Sequence, residues 1–196
     1  MRRQILPALL AFLCFTVLTG LVYPLVVTGV SQVAFPNRSD GSLVKRDGKV
    51  VGSSLIGQDF EGPRYFHPRP SAAGDGYDAM SSSASNLGPT NQTLLSDVRK
   101  RVLVYDALNR HFGAAPGDAV TSSGSGLDPD ITLRNAKSVY QLDRVAAKRG
   151  VGREQIARLL DERAFYPLGG LAGEPLVNVL EINLELDRRF PVPAAK

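Results

Sequence analysis

Residues 5–35 read ILPALLAFLCFTVLTGLVYPLVVTGVSQVAF, and no charged side chain occurs from residue 4 to residue 36. About 20 apolar residues cross the hydrocarbon core of a bilayer. This run is longer, so it tilts or extends into the interface. It predicts one transmembrane helix over about residues 5–35, within an N-terminal membrane anchor of residues 1–36. Pro7 falls in the first turn, where a missing N–H costs little. Pro24 lies inside and removes one backbone hydrogen bond. The carbonyl it frees needs a neighbour, which points to packing against other helices. Gly20 and Gly29 offer small surfaces for close approach. A cleaved signal peptide has an apolar core of about 7–15 residues before a small-residue site. Gly29-Val30-Ser31 fits such a site, but the core before it is too long. Ala11-Phe12-Leu13 is too bulky to precede a lipoprotein cleavage at Cys14. The expectation is a retained anchor. Arg2 and Arg3 precede the span, so the positive-inside rule holds the N-terminus in the cytoplasm and the body outside it.

The rest of the chain has a different composition. Residues 37–196 hold 21 of the 23 Lys and Arg residues and all 19 Asp and Glu residues, a net charge of +2. This body of about 160 residues is an ordinary domain size, and 43% hydrophobic residues over the chain suffice for a core. The unclustered charge, +4 over the whole chain, leaves no electrostatic footprint for nucleic acid. The single cysteine excludes a disulfide framework and a cysteine-based zinc site.

Within the body, Leu43-Val44 and Val50-Val51 flank an Asp47-Gly48 turn, a hairpin signal. Gly62 to Asn91 is rich in Pro, Gly, Ser and Asn and reads as a long loop; loops of that length are often functional. Leu94, Leu95, Val98, Val102, Tyr105, Leu108 and Phe112 recur at spacings of three and four, an amphipathic helix stopped by Gly113. Gly113 to Gly126 is a second Gly/Ser-rich loop. Asp130 is placed to cap a helix from about Thr132 to Lys148, ended by Gly150. A shorter helix follows from about Arg153 to Arg163, and Gly169-Gly170 breaks what comes next. Residues 176–186 stay open between two readings. Leu180, Ile182, Leu184 and Leu186 alternate as in a strand, while Asn178 with Glu181 resembles a helix capping box. The fold class is therefore α+β: one N-terminal transmembrane helix, then a single mixed α/β extracytoplasmic domain over 37–196.

Chemistry-bearing patterns are sparse. His67 and His111 are far apart and lack the three or four convergent ligands of a zinc site. His111 near a helix end complements the macrodipole. Ser, His and Asp are all present, but Gly-x-Ser-x-Gly in a strand–turn–helix setting is not. Ser123-Gly124-Ser125-Gly126 is the nearest approximation to Gly-x-Ser-x-Gly and lacks that setting; Gly124-Ser125-Gly126 resembles a phosphate-cradling loop, yet Asp128 and Asp130 follow it, and carboxylates repel phosphate. Tyr65-Phe66-His67-Pro68-Arg69-Pro70-Ser71 is more unusual. The prolines hold His67 and Arg69 extended. Aromatic, cationic and rigid elements together suit either a recognition surface or a loop anchored to the body by Tyr65 and Phe66.

These stretches also carry a family likeness. Its marks are the charge-free N-terminal span, the run from Gly52 to Phe60, the run from Tyr65 to Ser71, Gly76-Tyr77-Asp78, and Ser82 to Asn91. Further along come Ser123 to Ile131, Arg144-Val145-Ala146 with Arg149-Gly150, and Gly173 to Leu180. In this order, over nearly the full length, the chain resembles the C subunit of the Kdp potassium-transporting ATPase, the KdpC family. It departs from that pattern at Asp130, where a histidine is expected, and at Asp161-Glu162-Arg163, which replaces a stretch that usually carries a His-Thr pair.

The resemblance implies a single-pass, non-catalytic subunit of a bacterial inner-membrane complex for high-affinity, ATP-driven potassium import. Its partners there are a potassium-channel-like subunit, a P-type ATPase subunit and a small accessory subunit, within the lipid bilayer and with no nucleic acid. The family is also described as a catalytic chaperone that raises the ATP affinity of the ATPase subunit. ATP is thus implied at the level of the complex, potassium is the transported ion, and no metal or cofactor is assigned to this chain. The interface candidates are Pro24, Tyr65, Phe66, His67, Arg69, Ser71, Asp78, Ser85, Asn86, Asn91 and Asp128. The alternative is a membrane-anchored periplasmic serine hydrolase using Ser71, Ser85 or Ser125, or a periplasmic binding module.

Overall fold

The computed structural model describes residues 2–109 and 114–192. The chain divides into two compact units, Met1–Val51 and Gly52–Lys196.

The first unit is dominated by one long apolar helix. It comprises α1 (Arg2–Val17), a π turn (Leu18–Val22) and α2 (Tyr23–Ala34). Residues Arg3–Ala34 form the one helix long and apolar enough to cross a membrane among the described residues. At 1.5 Å per residue it reaches about 48 Å, beyond the roughly 30 Å hydrocarbon core. The π turn sits where Pro24 requires it. A proline ring clashes with the carbonyl four residues earlier, and a widened turn relieves this inside the helix itself. The Tyr23 N–H accordingly donates to the Leu18 carbonyl, five residues back. Pro24 is thus accommodated by a widened turn of the helix itself. Pro7 lies in the second turn, because the helix already begins at Arg2. A short α3 (Pro36–Ser39) follows, then the hairpin of β1 (Leu43–Arg46) and β2 (Lys49–Ser53). Asp47 and Gly48 take positive φ of 51° and 77°, as a tight two-residue hairpin turn demands.

The second unit is a mixed α/β body with a small sheet. Its helices are α4 (Gln92–Asn109), α5 (Gly117–Val120), α6 (Leu133–Ala136), α7 (Val139–Arg149), α8 (Arg153–Arg163) and α9 (Val179–Arg189). A 3₁₀ turn covers Pro167–Gly170. Strand β3 (Asp130–Thr132) pairs antiparallel with β4 (Leu176–Asn178), Ile131 opposite Val177. The core gathers Leu142, Val145, Ile156, Leu159, Leu160, Ile182 and Leu186 from α7, α8 and α9, Ile131 and Val177 from the strands, and Phe66 from the long loop.

Two expectations change. The helix expected from Thr132 to Lys148 is broken at Lys137 and Ser138 into α6 and α7. Its cap is Thr132, whose Oγ1 accepts from the Asn135 N–H at 3.1 Å. Asp130 lies in β3 opposite Asn178, and Asn178 donates to its carboxyl at 3.3 Å. Burial pushes that carboxyl above its ordinary pKa, with Asp128 adding to the rise. Residues 176–186 are both things in turn: β4, then α9, with Asn178 Oδ1 accepting from the Glu181 N–H at 3.1 Å. His111, Phe112 and the stop at Gly113 lie outside the described residues.

Candidate functional site

Gly62 to Asn91 contains no helix or strand. A loop of this length must still satisfy its backbone polar groups wherever it is buried. Four side chains from α7 and α9 do so. Asn183 is fully buried and pairs with both backbone groups of Phe66. Phe66 N–H donates to its Oδ1 at 2.9 Å, and its Nδ2 donates to the Phe66 carbonyl at 2.9 Å. Gln141 accepts from the His67 N–H at 2.9 Å and donates to Asn135 Oδ1 at 3.0 Å. Arg144 donates to the carbonyls of Pro63 (2.7 Å) and Tyr65 (2.8 Å), to Asn109 Oδ1 (2.8 Å) and to Gln141 Oε1 (3.2 Å). All four acceptors are neutral, and burial pulls this guanidinium down to about 10. Arg149 donates to the carbonyls of Arg64 and Phe190 at 2.9 Å, and to Asp187 at 3.0 Å. Tyr65 Oη donates to the other Asp187 oxygen at 3.1 Å. Two guanidinium groups lie over the Tyr65 ring, Arg64 at 5.0 Å and Arg149 at 5.2 Å from its centroid, a favourable cation–π placement.

Downstream, the loop is tied to a second loop. Arg69 pairs with Asp128 at 3.0 Å and reaches the carbonyls of Thr121 and Ser122. Ser71 Oγ accepts from the N–H groups of Ala73 (3.1 Å) and Tyr77 (2.7 Å), while Tyr77 Oη donates to the Arg69 carbonyl at 2.7 Å. Burial raises the Tyr77 phenol well above its ordinary range. Asp78 accepts from the Met80 N–H at 2.8 Å. The loops touch backbone to backbone at Gly126, where an added Cβ would meet the Ser83 carbonyl oxygen at 2.5 Å. Any larger residue there would separate them.

The interface candidates therefore divide. Phe66, Arg69, Ser71, Asp78 and Asp128 are engaged inside the unit and give the loop its shape. Asn91 caps α4, its Oδ1 accepting from the Thr93 N–H at 2.8 Å. Ser85 and Asn86 are exposed, and Asn86 has a positive φ of 53°. Pro24 belongs to the other unit. His67 Nε2 donates to the Gly62 carbonyl at 2.9 Å. Burial lowers its pKa; the Gly62 bond and Asp59 work against that, and Arg144 works with it.

Among the described residues, Ser71 and Ser125 of the hydrolase alternative accept hydrogen bonds from backbone N–H groups. Ser71 Oγ serves two amides and His67 faces Gly62. Ser125 Oγ accepts from the Leu127 N–H at 3.1 Å. Among the described residues no group of three or more His, Cys, Asp or Glu side chains is placed to hold a metal ion.

Sequence reasoning missed Asn183, Gln141 and Asn135, the amides that hold the loop. One signal was present. Val179, Ile182, Asn183 and Leu186 share one helix face, so Asn183 is a polar residue inside an apolar stripe.

A protein family described as KdpC, the c chain of the K+-transporting ATPase, matches residues 5–188. A potassium-transporting ATPase KdpC subunit of Mycobacterium tuberculosis is 54% identical over 190 residues, covering 96% of this chain and 100% of the relative. That of Caulobacter vibrioides is 52% identical over 197 residues, 100% of this chain and 98% of the relative. That of Rhodospirillum rubrum is 50% identical over 193 residues, 98% and 99% of the two.

Proposed function

This chain belongs to the KdpC family, and on that premise we propose that it is the non-catalytic C subunit of an ATP-driven potassium-import complex in the bacterial inner membrane. Arg3–Ala34 anchors it, with the N-terminus cytoplasmic and residues 37–196 on the outer side. Pro24 and its π turn lie in the part of the anchor that packs against partner helices. The loop from Tyr65 to Asn91 docks on the channel-like subunit. The observation that carries this reading is the internal clamping of that loop. Asn183, Gln141, Arg144 and Arg149 bond the irregular backbone from Pro63 to His67, at the start of that loop, and such preorganisation lowers the ordering cost of binding. With the body outside, it cannot touch cytoplasmic ATP. A rise in the ATPase subunit's nucleotide affinity then passes through helix packing, as linkage allows when the subunit favours one ATPase state.

The test is co-purification from membranes with a C-terminal tag, followed by protease treatment of intact spheroplasts. Recovery of large membrane partners, with the body cut from outside, is expected. A chain recovered alone would overturn the complex, and a protected body would overturn the orientation.

A further inference from the structure

A cleft of about 270 Å³ opens between the long loop and α4. Its apolar walls include Pro68, Pro70, Tyr77 and Val104. Its charged members are Asp59, Lys100 and Arg101. Two cationic side chains and one carboxylate thus line the cleft. Arg101 donates to the Val120 carbonyl at 3.4 Å, a neutral acceptor. Lys100 lies 3.7 Å from Asp97, with both side chains exposed, a pairing of little energetic weight. Near His67, which also lines the cleft, Arg144 shares Gln141 Oε1 with the His67 N–H and adds a buried positive charge that donates to neutral groups. The adjoining surface of α4 is apolar as well as cationic: Leu103 is 69% exposed and Val104 67%.

The volume narrows the occupant. The cleft falls at the small end of the range of about 300–1,000 Å³ typical of small-molecule and cofactor sites, and a single inserted side chain fits it. The charge balance asks for an acid beside it, since complementary charge sets register and partner choice.

We infer that this cleft receives an acidic segment of a partner polypeptide, with one apolar side chain entering between Pro68, Pro70, Tyr77 and Val104 and a neighbouring carboxylate meeting Lys100 and Arg101. The inference rests on the chain's being a subunit of a membrane complex. Residues that only shape the loop, Phe66 and Ser71 among them, then act by building one wall of this receptor. The other wall is α4.

The experiment uses the full chain in its native membrane. Val104 is replaced by the photo-reactive p-benzoylphenylalanine, the membranes are irradiated, and the adduct is sequenced by mass spectrometry. In parallel, K100E/R101E is compared with wild type for partner recovery across a salt series. The expected adduct lies on a co-purifying subunit, with an Asp or Glu within about four residues. The double reversal lowers recovery about tenfold at low salt. Because Arg101 is half-buried and bonded to the Val120 carbonyl, K100E alone, at an exposed position, is the folding control and lowers recovery in the same direction with its melting temperature unchanged. An adduct on lipid, on a second copy of this chain, or on a segment without an acid overturns the inference. So does full recovery by K100E/R101E. If wild type recovers no partner, the subunit reading falls and takes the cleft with it; if wild type recovers partners and K100E/R101E recovers them equally, the cleft alone falls.

Discussion

Two irregular segments of the second unit begin almost alike and end differently. Tyr65-Phe66-His67-Pro68 opens one, and Phe165-Tyr166-Pro167-Leu168 opens the other. Phe66 is 0% exposed and Phe165 is 58% exposed. The difference lies in what satisfies each backbone. Phe66 exchanges both of its backbone hydrogen bonds with the Asn183 side chain, which draws the residue into the core of α7, α8 and α9. Phe165 exchanges its pair with the backbone of Leu176 at 2.8 and 2.9 Å, at an edge where side chains face solvent. Past it, Leu168 takes a positive φ of 48° and Leu171 is 91% exposed. Lack of helix or strand therefore says nothing about order. The partner of the backbone decides it.

The sharpest way to break the contrast is to empty the core position. Phe66→Ala should cost about 3–5 kcal/mol, read as a lower urea midpoint of the full chain in detergent. Phe165→Ala serves as the surface control, and equal losses for the two would erase the distinction. Asn183→Ala should cost about 2–4 kcal/mol, because it leaves the N–H and the C=O of Phe66 buried without partners. Its signature is new protease cleavage between residues 62 and 91. Cleavage confined to other segments would mean that the loop has a different anchor.

The next handle is pH. Burial, with Arg144 nearby, holds the folded-state pKa of His67 below its ordinary 6.5. The unfolded chain then binds the proton first as pH falls. The stability from neutral His67 is complete above pH 6.5 and drains away as pH drops below it towards the folded value. His67→Gln should flatten that part of the stability curve, and an unchanged slope from pH 7 to 5 would remove His67 from the account. The smallest effect is expected in the exposed turn. Leu168→Gly relieves a left-handed leucine, offset in part by the greater unfolded freedom of glycine, for a net gain of about 0.5 kcal/mol. A loss of more than 1 kcal/mol would show that Leu168 is packed like Phe66.

Much of the fold was legible because it is written locally. Helix α8 occupies Arg153–Arg163 as its flanking signals predict, the Asp47-Gly48 turn closes its hairpin, and α7 ends before Gly150. The open reading of residues 176–186 had a physical basis. Alternating leucines suit a strand and Asn178 suits a cap, and both signals are used, three residues for the strand and the rest for the helix. The extent of the long loop was also legible, from its Pro, Gly and Ser content. Its anchors were not, because Asn183 and Gln141 lie 117 and 74 positions from the backbone groups they bind, and an amide has no periodicity that announces a distant partner.

By itself, then, the sequence determined the apolar span, the polar body, the local caps and turns and the family likeness. Each of these depends on residues within a few positions of one another, or on composition. The tertiary structure alone decided that Phe66 is core and Phe165 surface, that Asp130 pairs in a strand opposite Asn178, and that Arg69 ties one loop to another through Asp128. Those outcomes depend on which buried donors and acceptors meet after the chain has closed on itself, and burial makes each unmade bond costly.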